Sequence, residues 1–386
     1  MNSISGYKKV LVLSSVTLVF GCGELWDFVT LRGNSTKYMP DSQDIIFPTD
    51  IDVSSDGKIY FAYSSSKGNA ICSMDIETSQ LIQLTEDNNS DYSPVVSNDG
   101  EKVIFKRGSI FGDKSQLYII NSDGTKCIKI LDKDIYILNT IFSKNDSTIY
   151  FIGGAFYNDT LDVVKNNFRC LDIFSVDIDG NNFRRITYNC VSSWVEDLKY
   201  ISKNTLLISV ETEVNYNGKT PDFDENCNYF ESQNMQLQRK PYKENFVALL
   251  NIQTGEIEKM NIQVTDIPRK EPFKKRERKY EKPTPLLRKS AYNYKDDNFL
   301  FGNYHFYIFD YKNKTINYSF TNDSILIYNY KFLHNKNKII GGIDIESKFK
   351  LILFDIEENK IERELEIDTN KFTPSPNKTI FIKTLN

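Results

Sequence analysis

Histidine is nearly missing from this chain. Among 386 residues only His305 and His334 occur, too few to assemble a metal centre that relies on several imidazoles. His305 sits in an aromatic strand-like stretch and His334 in a turn-like one, and neither has convergent partners nearby in sequence. No Gly-x-Ser-x-Gly elbow, phosphate-cradling glycine loop, zinc-spaced cysteine pair or dinucleotide fingerprint is present, which removes several common enzyme classes. Charge of one sign is lacking too: 48 basic residues face 52 acidic ones, a net −4. Nucleic-acid binding needs a concentrated basic surface, so DNA and RNA are set aside. The one extended apolar run, Val10 to Phe20, falls short of the about 20 residues a spanning helix needs.

Aromatic residues are plentiful at 13%, mostly Phe and Tyr, within a 40% hydrophobic composition. Combined with many Ile and Val residues this favours half-buried strands, and the chain reads as all-β.

Lys8 and Lys9 precede the Val10 to Phe20 run, and Gly21 and Cys22 follow it. Basic, apolar and small residues in that order form an export signal. The expected organisation is a signal segment over 1–21, a tether with a possible closing strand over 22–45, and a repeat domain over 46–386. Cys72, Cys127, Cys170, Cys190 and Cys227 are an odd set once Cys22 is used. Cys170 with Cys190 is the first pairing to consider, because they bracket a candidate strand pair, although spacing does not fix connectivity.

Internal repetition decides the fold. The clearest unit contains Tyr92-Ser93-Pro94-Val95-Val96-Ser97-Asn98-Asp99-Gly100, Val103-Ile104-Phe105, Leu117-Tyr118-Ile119-Ile120-Asn121-Ser122-Asp123-Gly124 and Ile128 to Leu131. Asp-Gly between apolar runs marks a hairpin, since Gly accepts positive φ and Asp bonds its own turn backbone. The order recurs upstream around Asp56 and Gly57, and downstream around Asn145 and then Asp179 and Gly180. This spacing of a little over 40 residues is that of a four-stranded propeller blade. Later units around Leu206, Phe299 and Leu351 lack Asp-Gly turns and rest on spacing. The segment Phe372 to Ile382 repeats the opening of a blade, and Leu25 to Thr30 is available to complete it. The expectation is therefore a β-propeller closed by N- and C-terminal strands, with seven blades and six as the alternative.

These repeats resemble those of TolB-like, WD-related propellers, and Val19-Phe20-Gly21-Cys22 resembles a bacterial lipobox, with Phe20 a less usual occupant. The first resemblance implies that Asp56, Gly57, Asp99, Gly100, Asp123, Gly124, Asp179 and Gly180 build turns. The second implies lipid on Cys22, where several acyl chains give a stable anchor. Together they imply a stand-alone, lipid-anchored propeller, monomeric, in the cell envelope and at the outer membrane of a diderm. The Tol-Pal propeller carries a separate α/β domain that this chain has no room for, so Tol function is not implied. Related propellers gate serine peptidases or carry a histidine-built pectin-fragment lyase, and this chain lacks the residues of both.

Two segments interrupt the repeats. In an insertion over about 211–244, Asp222, Asp224, Asn226 and Asn228 alternate as calcium ligands would. Cys227 and Gln233 stand where an EF-hand needs Gly and Glu. An acidic surface loop is the expectation, with calcium as the alternative and no other cofactor implied. Between Arg269 and Lys289, ten Lys/Arg outnumber three Glu. This stretch, over about 268–289, includes Lys274, Lys275, Arg276, Arg278 and Lys279 and reads as a solvated loop, or else as a contact for an anionic partner. No catalytic set stands out. The function expected is a non-enzymatic envelope scaffold for a protein or glycan partner; the alternative is a hydrolase or lyase acting on glycan from the central channel.

Overall fold

Among the described residues, six antiparallel sheets follow one another along the chain, each built around four consecutive strands. The computed structural model describes residues 45–64, 68–86, 88–108, 115–131, 135–156, 168–187, 193–214, 239–264, 290–293, 298–302, 305–321, 327–333, 336–345, 348–365 and 373–374. The blades occupy residues 45–83, 91–129, 135–185, 193–259, 290–321 and 328–365. Their first strands, Ile45–Val53, Asp91–Val96, Ile135–Phe142, Ser193–Ser202, Ser290–Asn293 and Tyr328–Phe332, are the innermost and all contribute to one channel. The chain is thus an all-β propeller of four-stranded blades.

The continuous apolar runs that follow the hairpin turns have a direct explanation. A strand in the middle of a blade is covered on both faces, so successive residues go to opposite neighbours. In blade 1, Ile59 and Phe61 pack toward blade 6 with Leu333, Leu351 and Leu353, while Tyr60 and Ala62 pack toward blade 2 with Val103 and Phe105. In blade 4, Leu206 and Ile208 join blade 3, and Leu207 joins Phe299 and Phe309 of blade 5. Six buried clusters result, each filling the cleft between two adjacent blades.

Two kinds of turn recur on the face where the innermost strands end. After the first strand, Ser54, Ser97 and Ser143 each receive on Oγ the backbone N–H that opens the second strand, from Lys58, Lys102 and Thr148. Gly57 and Gly100 take positive φ there, and Asp146 does so in blade 3 at φ 56°. Asp146 also accepts N–H groups from Asn98 and Asp99 at 2.9 and 3.0 Å, tying two blades together. The third strand ends on Asp or Asn in every blade: Asp75, Asn121, Asp177, Asn251, Asp310 and Asp355. Several of these carboxylates or amides accept N–H groups from the following turn, as Asp75 does from Glu77 and Thr78.

The ring has six blades, the smaller of the two numbers that the sequence left open. Blade 6 packs directly on blade 1 through the cluster of Ile59, Phe61, Leu333 and Leu353, leaving no place for a seventh sheet between them. The C-terminal segment that reads like the start of another blade instead supplies Thr373–Pro374, a parallel edge on the outer strand of blade 1. Gln263–Val264 adds to the outer strand of blade 5 in the same parallel way. A polar contact also closes the seam. Arg363 in the outer strand of blade 6 donates to Ile76 O at 2.6 Å, just as Arg184 in the outer strand of blade 3 donates to Ile252 O of blade 4 at 3.0 Å. Closing this ring uses the same joint as its interior. The expected N-terminal strand, Leu25 to Thr30, lies outside the described residues.

Burial of tyrosines sets an alkaline limit on stability. Tyr60 is fully buried, and burial first, then the charge of Asp56, pushes its phenol up to about 12 from an unfolded value of 10.0. Burial drives Tyr330 in the same direction. A phenol with a raised folded pKa leaves stability intact below the unfolded pKa and erodes it as pH rises through the folded one. Unfolding free energy is expected to hold up to about pH 10 and then fall toward pH 12 by on the order of 1 kcal/mol per pH unit per tyrosine. Urea titrations across that window check this, with Tyr60→Phe expected to show a shallower fall.

Candidate functional site

Charged residues flanked by apolar ones in the innermost strands mark the channel. Asp52 stands between Ile51 and Val53, Lys199 between Leu198 and Tyr200, and Lys331 between Tyr330 and Phe332. Each faces, across its hairpin, the second apolar residue of its blade's second strand: Tyr60, Leu207 and Ile340. Equal register places the three charges at one level of the ring, on blades 1, 4 and 6.

They line a cavity of about 540 Å³ at the mouth that carries the tight turns. Every innermost strand contributes to it. Asn98, Asn139, Lys144 and Tyr200 add polar groups, while Val95, Ile141, Phe299 and Phe332 add apolar wall.

The carboxylates here are committed to neighbouring blades. Asp52 accepts the Val96 N–H of blade 2 at 2.9 Å and faces Lys331 of blade 6 at 3.4 Å. Asp197, 1% exposed, accepts a hydrogen bond from Asn139 of blade 3 and faces Lys199 at 3.3 Å. Its Oδ2 has that ion pair but no aligned hydrogen bond. Burial depresses the Lys199 ammonium below its ordinary value; Asp197 opposes the shift and the like charge of Lys331 reinforces it. Burial here acts on a lysine, and the two acids are held in pairs.

Sequence reasoning did not single out Asp52, Asn139, Asp197, Lys199 or Lys331. They are scattered over nearly 300 positions, and only the ring brings them together. For Asp52, Lys199 and Lys331 the signal that was available is a charge flanked by apolar residues in a strand that must be covered on both faces.

The residues that sequence reasoning did single out lie elsewhere. Asp56, Gly57, Asp99 and Gly100 are in turns after first strands; Asp123, Gly124, Asp179 and Gly180 are in turns after third strands. Cys22, Asp222, Asp224, Asn226 and Asn228 lie outside the described residues, as do Lys274, Lys275, Arg276, Arg278, Lys279 and His334. So do Cys190 and Cys227, and with Cys190 the pairing to Cys170. His305 begins the third strand of blade 5. Part of the expected insertion is strand: the second and third strands of blade 4 run as Thr205–Val214 and Arg239–Asn251 and pair as far as Val214 with Arg239. Among the described residues no cluster of three metal-ligating side chains occurs, and no helix is long and apolar enough to cross a membrane.

No protein-family model matches the chain, and no curated protein matches it by sequence. Solved structures do resemble it. Hydrazine synthase from Kuenenia stuttgartiensis is 13% identical over 88% of this chain and 47% of that one, at a TM-score of 0.53. TolB from Acinetobacter baumannii is 11% identical over 78% of this chain and 62% of that one, at 0.49. Acylaminoacyl peptidase from Pyrococcus horikoshii is 14% identical over 83% and 46%, at 0.45. The chain spans less than two thirds of the length of each of these relatives. At such identities the likeness is one of fold. The ring of four-stranded blades is the architecture that the TolB-like repeats imply.

Proposed function

We propose that the protein is a non-enzymatic binding scaffold of the bacterial cell envelope, anchored through lipid on Cys22, which holds a protein or glycan partner at the turn-bearing mouth of its channel. The observation that carries this reading is the cavity itself, a pocket of about 540 Å³ to which all six blades contribute. A concave site with apolar walls and a few convergent polar groups, set on a rigid ring, suits ligand capture. The use of Asp52 at the cavity and of Asp197 behind Lys199 to join blades also favours holding over proton transfer.

The competing reading is a hydrolase or lyase acting on glycan within the channel. It draws on Lys199, whose burial moves the amine toward its neutral, basic form.

In-cell crosslinking of the full chain with a C-terminal tag, followed by mass spectrometry, tests the proposal. A lipidated Cys22 and one or two stoichiometric envelope partners are expected. Recovery of unlipidated protein alone would overturn it, and turnover of envelope glycans by the purified chain would favour the enzyme.

A further inference from the structure

We infer that the channel mouth seats an anionic group, a carboxylate or phosphate monoester on a small apolar body, between the ammonium groups of Lys199 and Lys331. This inference rests on the channel mouth being a binding site and names the chemistry bound there.

The acceptors around the cavity are largely used. Asp52 holds the Val96 amide and Lys331, and Asp197 is withdrawn behind Lys199. Asn139 Oδ1 accepts the Thr140 N–H. The lysines are not used to the same degree. An ammonium has three donors, yet among the described residues Lys199 and Lys331 each face one carboxylate in an ion pair, at more than 3.2 Å. Of the charged residues lining the cavity, Lys144, Lys199 and Lys331 outnumber Asp52 three to one.

Lys199 and Lys331 also feel each other's like charge. An anion placed between them relieves that repulsion and takes up the spare donors, and in a partly dehydrated pocket such contacts are stronger than in water. Val95, Ile141, Phe299 and Phe332 give the walls an apolar character that a bare inorganic ion would not use. An anion with an apolar body satisfies both halves of the site.

The test uses the purified full chain with three probes: benzoate, phenyl phosphate and the neutral benzyl alcohol, followed by ligand-detected NMR. Benzoate or phenyl phosphate is expected to bind at least tenfold more tightly than benzyl alcohol, and the better of the two tells carboxylate from phosphate. Lys331→Met should weaken the anions at least tenfold while leaving benzyl alcohol unchanged, and Lys129→Met, on the exposed outer strand of blade 2, should change nothing. Because Lys199→Met strands Asp197 in the core, the double variant Lys199→Met, Asp197→Asn serves as the second site variant and should also lose anion binding.

Equal binding of neutral and anionic probes, no binding of either anion, or anion binding that survives both site variants would overturn the inference. Partner capture at the channel mouth without anion preference would sink the anion alone. Anion binding by a protein that captures no partner in cells would sink the scaffold alone.

Discussion

Arg107→Met is expected to lower the unfolding free energy by about 3–5 kcal/mol, read as a shift of the urea midpoint at neutral pH. The reason lies in Asp91, which opens the innermost strand of blade 2 with no exposed side-chain surface. Arg107, across the hairpin in the register position opposite, donates to it from two nitrogens at 2.6 and 2.8 Å. The guanidinium also lies over the neighbouring rings of Tyr118 and Phe105, 4.5 and 5.5 Å from their centres. Removing the cation leaves a carboxylate sealed away from water with nothing to balance it, and that cost exceeds the worth of the pair. The double variant Asp91→Leu, Arg107→Met should therefore be more stable than the single one. A single variant within about 1 kcal/mol of the parent, the range of an exposed pair, would show that water reaches Asp91.

Gly255→Ala and Gly180→Ala should each destabilise by about 2–5 kcal/mol, whereas Gly57→Ala should cost about 1–2 kcal/mol. All three glycines have φ between 73° and 87°, so the backbone penalty is common to them. Their surroundings are not. A methyl on Gly255 would sit 2.6 Å from Ile186 O and one on Gly180 2.7 Å from Ile130 O, while one on Gly57 meets nothing within 4 Å. Ile186 and Ile130 follow the outer strands of the preceding blades, so relief of the clash has to move one blade relative to the next. Matched denaturation curves for the three variants decide the matter. Equal shifts would mean that the turns give way independently of the blades they touch.

The two glycine environments show what a sequence can and cannot carry. The Asp-Gly pairs announce turns, because positive φ is a local demand that one residue answers. Whether a turn is open, as at Gly57, or pressed against the preceding blade, as at Gly180, depends on a neighbour about 50 residues away. The later blades were harder to read because Lys314 and Asn359 take the positive φ there, at 55° and 51°. The steadier signal is the Asp or Asn that ends each third strand, whose side chain bonds the turn whatever residue follows. Blade number hung on the last few strands, where a half-repeat looks the same whether it begins a new sheet or edges an old one. The channel charges were hardest of all, since proximity around a ring leaves no trace in spacing along the chain.

The joint between Arg363 and Ile76 spans 287 positions, and this has a consequence for how the molecule comes into being. Five of the six clefts lie between blades adjacent in the chain, so each can close as soon as the second of its two blades has emerged. The sixth cannot begin until Leu351, Leu353 and Arg363 exist. An arc of five docked blades holds its ends close and spares most of the entropy of joining such distant residues. Until then blade 1 presents Ile59 and Phe61 to solvent on its uncovered flank. A chain that emerges in order thus carries an exposed apolar face through nearly its whole synthesis, and loses it only with the final blade.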